Sequence, residues 1–210
     1  IGFEELVSLK SWCEDAGLSI FAIENLPTHF FNEIRFGRPG RDHLIADLQE
    51  SIRNMARAGI HNFGYNWIPF GVKRSSYSAR IRGDAMGTAY DQAAMKSAPL
   101  LADRAYSEDE FWDYYFYFLE RVLPVAEEMG VTLSVHPNDP PVESFGGIPH
   151  LFRSAAAYRK VFDSIPSDNH KATFCFGNFE EMGEDVPAVI REFGAKNKIH
   201  YVHFQSVSGT

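Results

Sequence analysis

Five stretches with helical spacing alternate with five short strand-like runs, and this strict alternation constrains the fold more than any other feature of the chain. Residues 3–16 place Phe3, Leu6, Val7 and Cys13 close to helical intervals and end at Gly17. Residues 18–23 then read as a strand. Residues 42–58 carry Leu44, Ile45, Leu48, Ile52 and Met55 on one stripe, and 60–67 follow as a strand. A third helix begins at Ser107, where Ser107 and Glu110 form a capping box. It runs to Gly130, with Pro124 expected to kink it. Strands at 131–136, 170–177 and 199–204 alternate with helices at 154–165 and 185–196. Such alternation predicts a parallel sheet with crossover helices. Two α/β architectures satisfy it, an open doubly wound sheet and a (β/α)8 TIM barrel. No glycine-rich phosphate loop follows any strand, which weakens the nucleotide-binding version of the first.

Side chains alternate between the faces of a strand. In 131–136, Val131, Leu133 and Val135 share one face, while Thr132, Ser134 and His136 share the other. In 172–177, Phe174 and Phe176 oppose Thr173 and Cys175; in 199–204, Val202 and Phe204 oppose Tyr201 and His203. Each strand thus has an apolar face, suited to a helix layer, and a more polar one. His136, Cys175 and His203 lie on the polar faces near the C-terminal ends, the rim where barrel active sites sit. Imidazole and thiolate both bind divalent transition metals. Taken singly, each residue has a bland reading, a hydrogen-bonded histidine or a small buried cysteine. Three in equivalent places on successive strands are harder to dismiss, and the pattern leaves both readings open. His200 falls on the other face and reads as structural.

His136 opens a run with three prolines, His136-Pro-Asn-Asp-Pro-Pro141, that restricts the backbone as it leaves its strand. Asp139 reads as a partner to a ligand or as a turn residue. Residues 70–106 show no clean period and read as an irregular insert or lid. Within them, Lys73, Arg74, Arg80 and Arg82 stand with no acidic residue between. In a chain of net charge −8 this reversal would attract an anion such as a sugar acid, although a solvated surface loop explains it equally well. The acidic balance argues against general nucleic-acid binding. No apolar run approaches the ~20 residues of a membrane helix, and no signal peptide opens the chain. With only Cys13 and Cys175 there is no disulfide framework, so a reducing, cytoplasmic setting is the simpler expectation.

The chain resembles the mannonate dehydratases of the xylose-isomerase-like barrel superfamily. The resemblance runs through Gly40-Arg41-Asp42, Arg53-Asn54, Ala58-Gly59-Ile60, Tyr65-Asn66-Trp67-Ile68-Pro69, Phe111-Trp112-Asp113 and Pro124-Val125-Ala126-Glu127-Glu128. Its most specific stretch is His136-Pro-Asn-Asp-Pro-Pro141, followed by Gly147-Ile148-Pro149, Ile165-Pro166-Ser167, Cys175 and Tyr201-Val202-His203. It implies a (β/α)8 barrel that binds manganese(II) or iron(II) and dehydrates D-mannonate to 2-keto-3-deoxy-D-gluconate in hexuronate breakdown. It implies His136, Cys175 and His203 as metal ligands, with a fourth, an aspartate, and the acid/base groups beyond Thr210. Asn66, Arg74 and Asn138 are the expected substrate contacts.

Asn138 stands where the family usually has aspartate, and His150 and Gln205 stand where arginines are common, so the metal set is kept while the shell around the substrate is altered. A sugar isomerase or epimerase of the same superfamily, or a degenerate sugar-acid-binding paralogue, are the alternatives. A homo-oligomer is open, since barrel enzymes often associate. Only five strands are counted where a barrel has eight. The expectation is a single domain over 1–210, incomplete at both ends and holding about strands 2 to 6.

Overall fold

A computed structural model describes residues 1–25 and 27–208. Its central sheet has five strands: β1 (Ile23–Glu24), β2 (Asn62–Asn66), β3 (Thr132–His136), β4 (His170–Cys175) and β5 (Ile199–His203). They lie in sequence order, and every neighbouring pair is parallel. That order decides between the two architectures. A doubly wound sheet reverses strand order at a switch point, whereas a barrel adds each strand to the same side of the last. The fold is that of consecutive strands of a (β/α)8 barrel.

The helix Phe3–Asp15 precedes the first strand, and Arg41–Arg57, Glu108–Glu128, Ala155–Ser164 and Val186–Ala195 lie in the connections between successive strands. The helix from Glu108 buries Phe111, Tyr115, Phe118, Leu119 and Val122. The expected capping box is present: the Glu110 N–H donates to Ser107 Oγ at 3.2 Å, and the Ser107 N–H donates to Glu110 Oε2 at 2.9 Å. The helix runs on through Pro124 to Glu128. Val131, Leu133, Val135, Ala172 and Phe174 pack against this layer as their alternation predicts, all fully buried.

The structure differs from the sequence reading in several places. The first strand reduces to Ile23–Glu24, because it pairs with β2 at two positions only, and Leu18 and Phe21 before it are exposed. A helix over Thr28–Arg35, unread in the sequence, follows it. The fourth strand stops at Cys175 rather than 177, since the chain turns into a short helix, Phe176–Glu181, that stacks Phe179 on Phe174 at 4.2 Å between ring centroids. On β5, Val202 and Phe204 are 44% and 88% exposed, not covered by helices among the described residues. Residues 70–106 have structure that their lack of period concealed: an antiparallel hairpin of Ser76–Arg80 with Met86–Ala89, then a short helix over Gln92–Met95.

The sheet curls strongly. Glu24 on β1 and His203 on β5 belong to its two edge strands, yet their side chains meet at 3.0 Å. The concave face is polar, with Thr173 Oγ1 donating to Ser134 Oγ at 3.0 Å. Gly64 of β2 is required there. A Cβ at this position would lie 2.0 Å from the Tyr201 hydroxyl and 3.1 Å from Glu24 Cγ, so any larger residue would displace both.

Candidate metal centre

His136 ends β3, Cys175 ends β4 and His203 ends β5. Cys175 and His203 are register partners, and Asn66 is the register partner of His136. Strand ends in register carry their inward side chains to one level of the concave face. One nitrogen from each imidazole and the Cys175 sulfur all lie within 4.8 Å of one another. Ligands about 2.0–2.3 Å from a single ion stand roughly 3–4 Å apart, so small side-chain movements suffice to close this set around one cation.

The hydrogen bonds behind the cluster set its chemistry. His136 Nδ1 lies 2.8 Å from the Pro137 carbonyl oxygen, which only accepts, so the ring proton belongs on Nδ1 and Nε2 carries a lone pair. His203 Nε2 faces the Glu24 carboxylate at 3.0 Å, which places the proton on Nε2 and the lone pair on Nδ1. His136 Nε2 and His203 Nδ1 then face each other at 3.1 Å. Two lone pairs at that distance repel, so the pair requires a proton or a cation between them. Burial lowers the His136 pKa and so disfavours a proton there. Burial also pushes the Cys175 thiol up to about 11, leaving it neutral unless a cation draws it to thiolate. Gln205 Nε2 donates to the Cys175 sulfur at 2.8 Å. The donor set fits a divalent transition metal.

The other expected site residues fall differently. Asn66 stands at the rim, with Oδ1 accepting from Arg35 Nη2 at 3.0 Å and from the Ile68 N–H at 3.1 Å, and Nδ2 donating to Asn25 Oδ1 at 2.7 Å. Arg74 makes a two-pronged ion pair with Asp139, both bonds 2.6 Å, and this raises its pKa further. The pair ties the segment before the hairpin to the loop that leaves His136. It also removes much of the expected basic patch, since Arg80 likewise pairs with Asp84 at 2.6 Å. Asn138 does not reach the rim. It is 0% exposed, donating from Nδ2 to the Trp67 carbonyl at 3.2 Å and accepting the Phe152 N–H at 2.7 Å, so it braces the loop. His150 is also buried, with Nδ1 2.7 Å from the Pro140 carbonyl oxygen.

Sequence reasoning missed Glu24 and Arg35. Glu24 obeys the same rule as His136, Cys175 and His203, a polar residue at the inward end of a strand, but it lay one residue past the assigned end of the first strand. Arg35 carried no signal, because its helix was unread. Glu181, on the short helix after Cys175, is also near; burial and the Asp139 charge raise its pKa. A surface cavity of about 500 Å³ lined by Glu108, Trp112, Arg153 and Lys160 shares no lining residue with this cluster.

Comparison with known proteins identifies the family. The family model described as D-mannonate dehydratase (UxuA) matches residues 1–101 and 98–210. Mannonate dehydratase 2 of Halalkalibacterium halodurans is 29% identical across 99% of this chain and 66% of its own length. The mannonate dehydratase of Oceanobacillus iheyensis is 31% identical across 97% of this chain and 64% of its own. The crystal structure of mannonate dehydratase from Streptococcus suis serotype 2 superposes with a TM-score of 0.88 at 30% identity, over 100% of this chain and 61% of that one. The chain therefore spans somewhat under two thirds of the length of the relatives it matches.

Proposed function

The chain belongs to the D-mannonate dehydratase (UxuA) family, and from that premise we propose that the protein is a metal-dependent hydro-lyase converting D-mannonate, or a related sugar acid, to 2-keto-3-deoxy-D-gluconate and water. The observation that carries this reading is the convergence of His136, Cys175 and His203 within 4.8 Å, with the outer nitrogens of both imidazoles held by oxygen acceptors. Manganese(II) or iron(II) is the proposed occupant, and such an ion supplies Lewis acidity toward carboxylate and hydroxyl oxygens.

The side chains around it have separate tasks. The Pro137 carbonyl and the Glu24 carboxylate keep both rings turned so that lone pairs face the site. The Gln205 amide steadies the sulfur. Asn66 offers an amide N–H at the rim to a substrate oxygen. Arg74, paired with Asp139, keeps a hydrogen-bond donor rather than net positive charge for a substrate oxygen, and the hairpin that follows it acts as a lid. Asn138 keeps the loop after His136 in place from below. A cytoplasmic location accords with two free cysteines, and the partner is a small sugar acid, with self-association a further part of the proposal. No helix among the described residues is long and apolar enough to cross a membrane.

The test is elemental analysis of the purified protein together with an assay for a 2-keto-3-deoxy acid formed from D-mannonate. Bound manganese or iron and metal-dependent product are expected. A product isomeric with the substrate, with no water lost, would turn the reading to an isomerase or epimerase. Binding without turnover would turn it to a non-catalytic paralogue.

A further inference from the structure

Among the described residues, Arg35 is the only arginine, lysine, aspartate or glutamate that is buried, at 2% exposed. It has no carboxylate partner among them. A guanidinium taken out of water without an anion is costly, and a protein that keeps one needs a reason. Burial pulls its pKa down to about 9, so it remains charged at neutral pH. Its bonds go to neutral groups. Nη2 donates to the Asn66 carbonyl at 2.7 Å and to Asn66 Oδ1 at 3.0 Å, while Nη1 reaches Asn32 Oδ1 at 3.4 Å. The Phe31 ring lies 5.0 Å from the guanidinium carbon, and Nε has no partner among the described residues.

Two of these bonds converge on one residue, the register partner of His136. With Arg35 and the Ile68 N–H both on Oδ1, the Asn66 amide has one orientation only. Its Nδ2 end gives one hydrogen to Asn25 Oδ1, and the second has no partner among the described residues. A charged donor on the oxygen side strengthens that bond and polarises the amide, which makes the remaining N–H a better donor.

We propose that Arg35 is a positioning residue for Asn66, holding the amide oxygen so that the free Nδ2 hydrogen is presented at the rim to a hydroxyl or carboxylate oxygen of a polyhydroxy acid. This rests on the sugar-acid reading above and names the device that orients that substrate.

The test compares Arg35→Met, Arg35→Lys, Asn66→Ala and the Arg35→Met/Asn66→Ala pair in the intact protein. Loss of one donor to a bound substrate corresponds to on the order of 10- to 100-fold in kcat/KM for D-mannonate. Arg35→Met and Asn66→Ala should each show it, and the pair should be no worse than Asn66→Ala alone. Arg35→Lys should recover part. Losses that multiply, or an Arg35→Met enzyme within about twofold of wild type, overturn the proposal. A second readout covers poor folding of Arg35→Met: the side-chain amide signals of Asn66 in ¹⁵N NMR, identified by their loss in Asn66→Asp. They should move in Arg35→Lys, and unmoved signals overturn the proposal. If wild type does not turn over D-mannonate yet these signals move, the sugar-acid reading fails while the hold of Arg35 on Asn66 stands.

Discussion

Two polar clusters occupy opposite faces of the same strand, His170 at its start and Cys175 at its end. On the helix side, the hydroxyls of Tyr65 and Tyr115 lie 2.9 Å apart, and His170 Nε2 is 2.9 Å from the first and 3.3 Å from the second. All three residues are fully buried, and the two hydroxyls and His170 Nε2 complement one another, while His170 Nδ1 has no partner among the described residues. On the concave side, His136, Cys175 and His203 also converge, but their inward atoms do not complement one another: two lone pairs and a sulfur face the same point. Hydrogen bonds among the cluster's own groups help hold a core together. A set of acceptors turned inward by partners behind them needs a cation to complete it. Histidine content alone does not separate the two cases; the partners of the outer nitrogens do.

The sharpest test of this contrast is His203→Ala. It should cost more than about 100-fold in metal affinity, since loss of a ligand exceeds the 10- to 100-fold typical of a supporting partner. Turnover should vanish and the melting temperature should barely move; retained metal and turnover would mean that the site is misassigned. His170→Ala should do the reverse, costing about 2–4 kcal/mol in denaturant unfolding by leaving a cavity and two tyrosine hydroxyls short of a partner. Its metal content should match wild type, and a parallel loss of metal would merge the two clusters into one. Glu24→Ala should weaken metal binding about 10- to 100-fold by freeing the outer nitrogen of His203; calorimetric titration of the metal-free protein with manganese(II) measures it.

The last contrast is in acid stability. Burial lowers the His170 pKa to about 3, well under its unfolded value of about 6.5. The unfolded chain therefore binds the proton first. The contribution of His170 is complete above pH ~6.5 and is lost as pH falls toward 3, at roughly 1 kcal/mol per unit. The difference in stability between wild type and His170→Gln should shrink on acidification, and a constant difference would show that His170 is not held neutral.

Much of this was legible without the fold. The apolar stripes and alternating strands named the core faces of β3 and β4, and the same alternation picked out His136, Cys175 and His203. These signals are local, because side-chain direction repeats every two residues in a strand and every 3.6 in a helix. Asn138 failed for a nonlocal reason. It sits two residues after His136, but the Phe152 N–H and the Trp67 carbonyl bury it. Arg74 was read as free positive charge, while Asp139, 65 residues away, occupies it.

The sequence by itself determined the order of elements, the inward and outward faces of the central strands, and the three residues that reach the rim. Those properties depend on residues a few positions apart. Only the tertiary structure decided the barrel sense of winding and the partners that give the rim its chemistry: Glu24 on His203 across 179 residues, Arg35 on Asn66 across 31. Such pairs depend on how far the sheet curls and on its register, which are sums over the whole packing and are written in no short stretch of the chain.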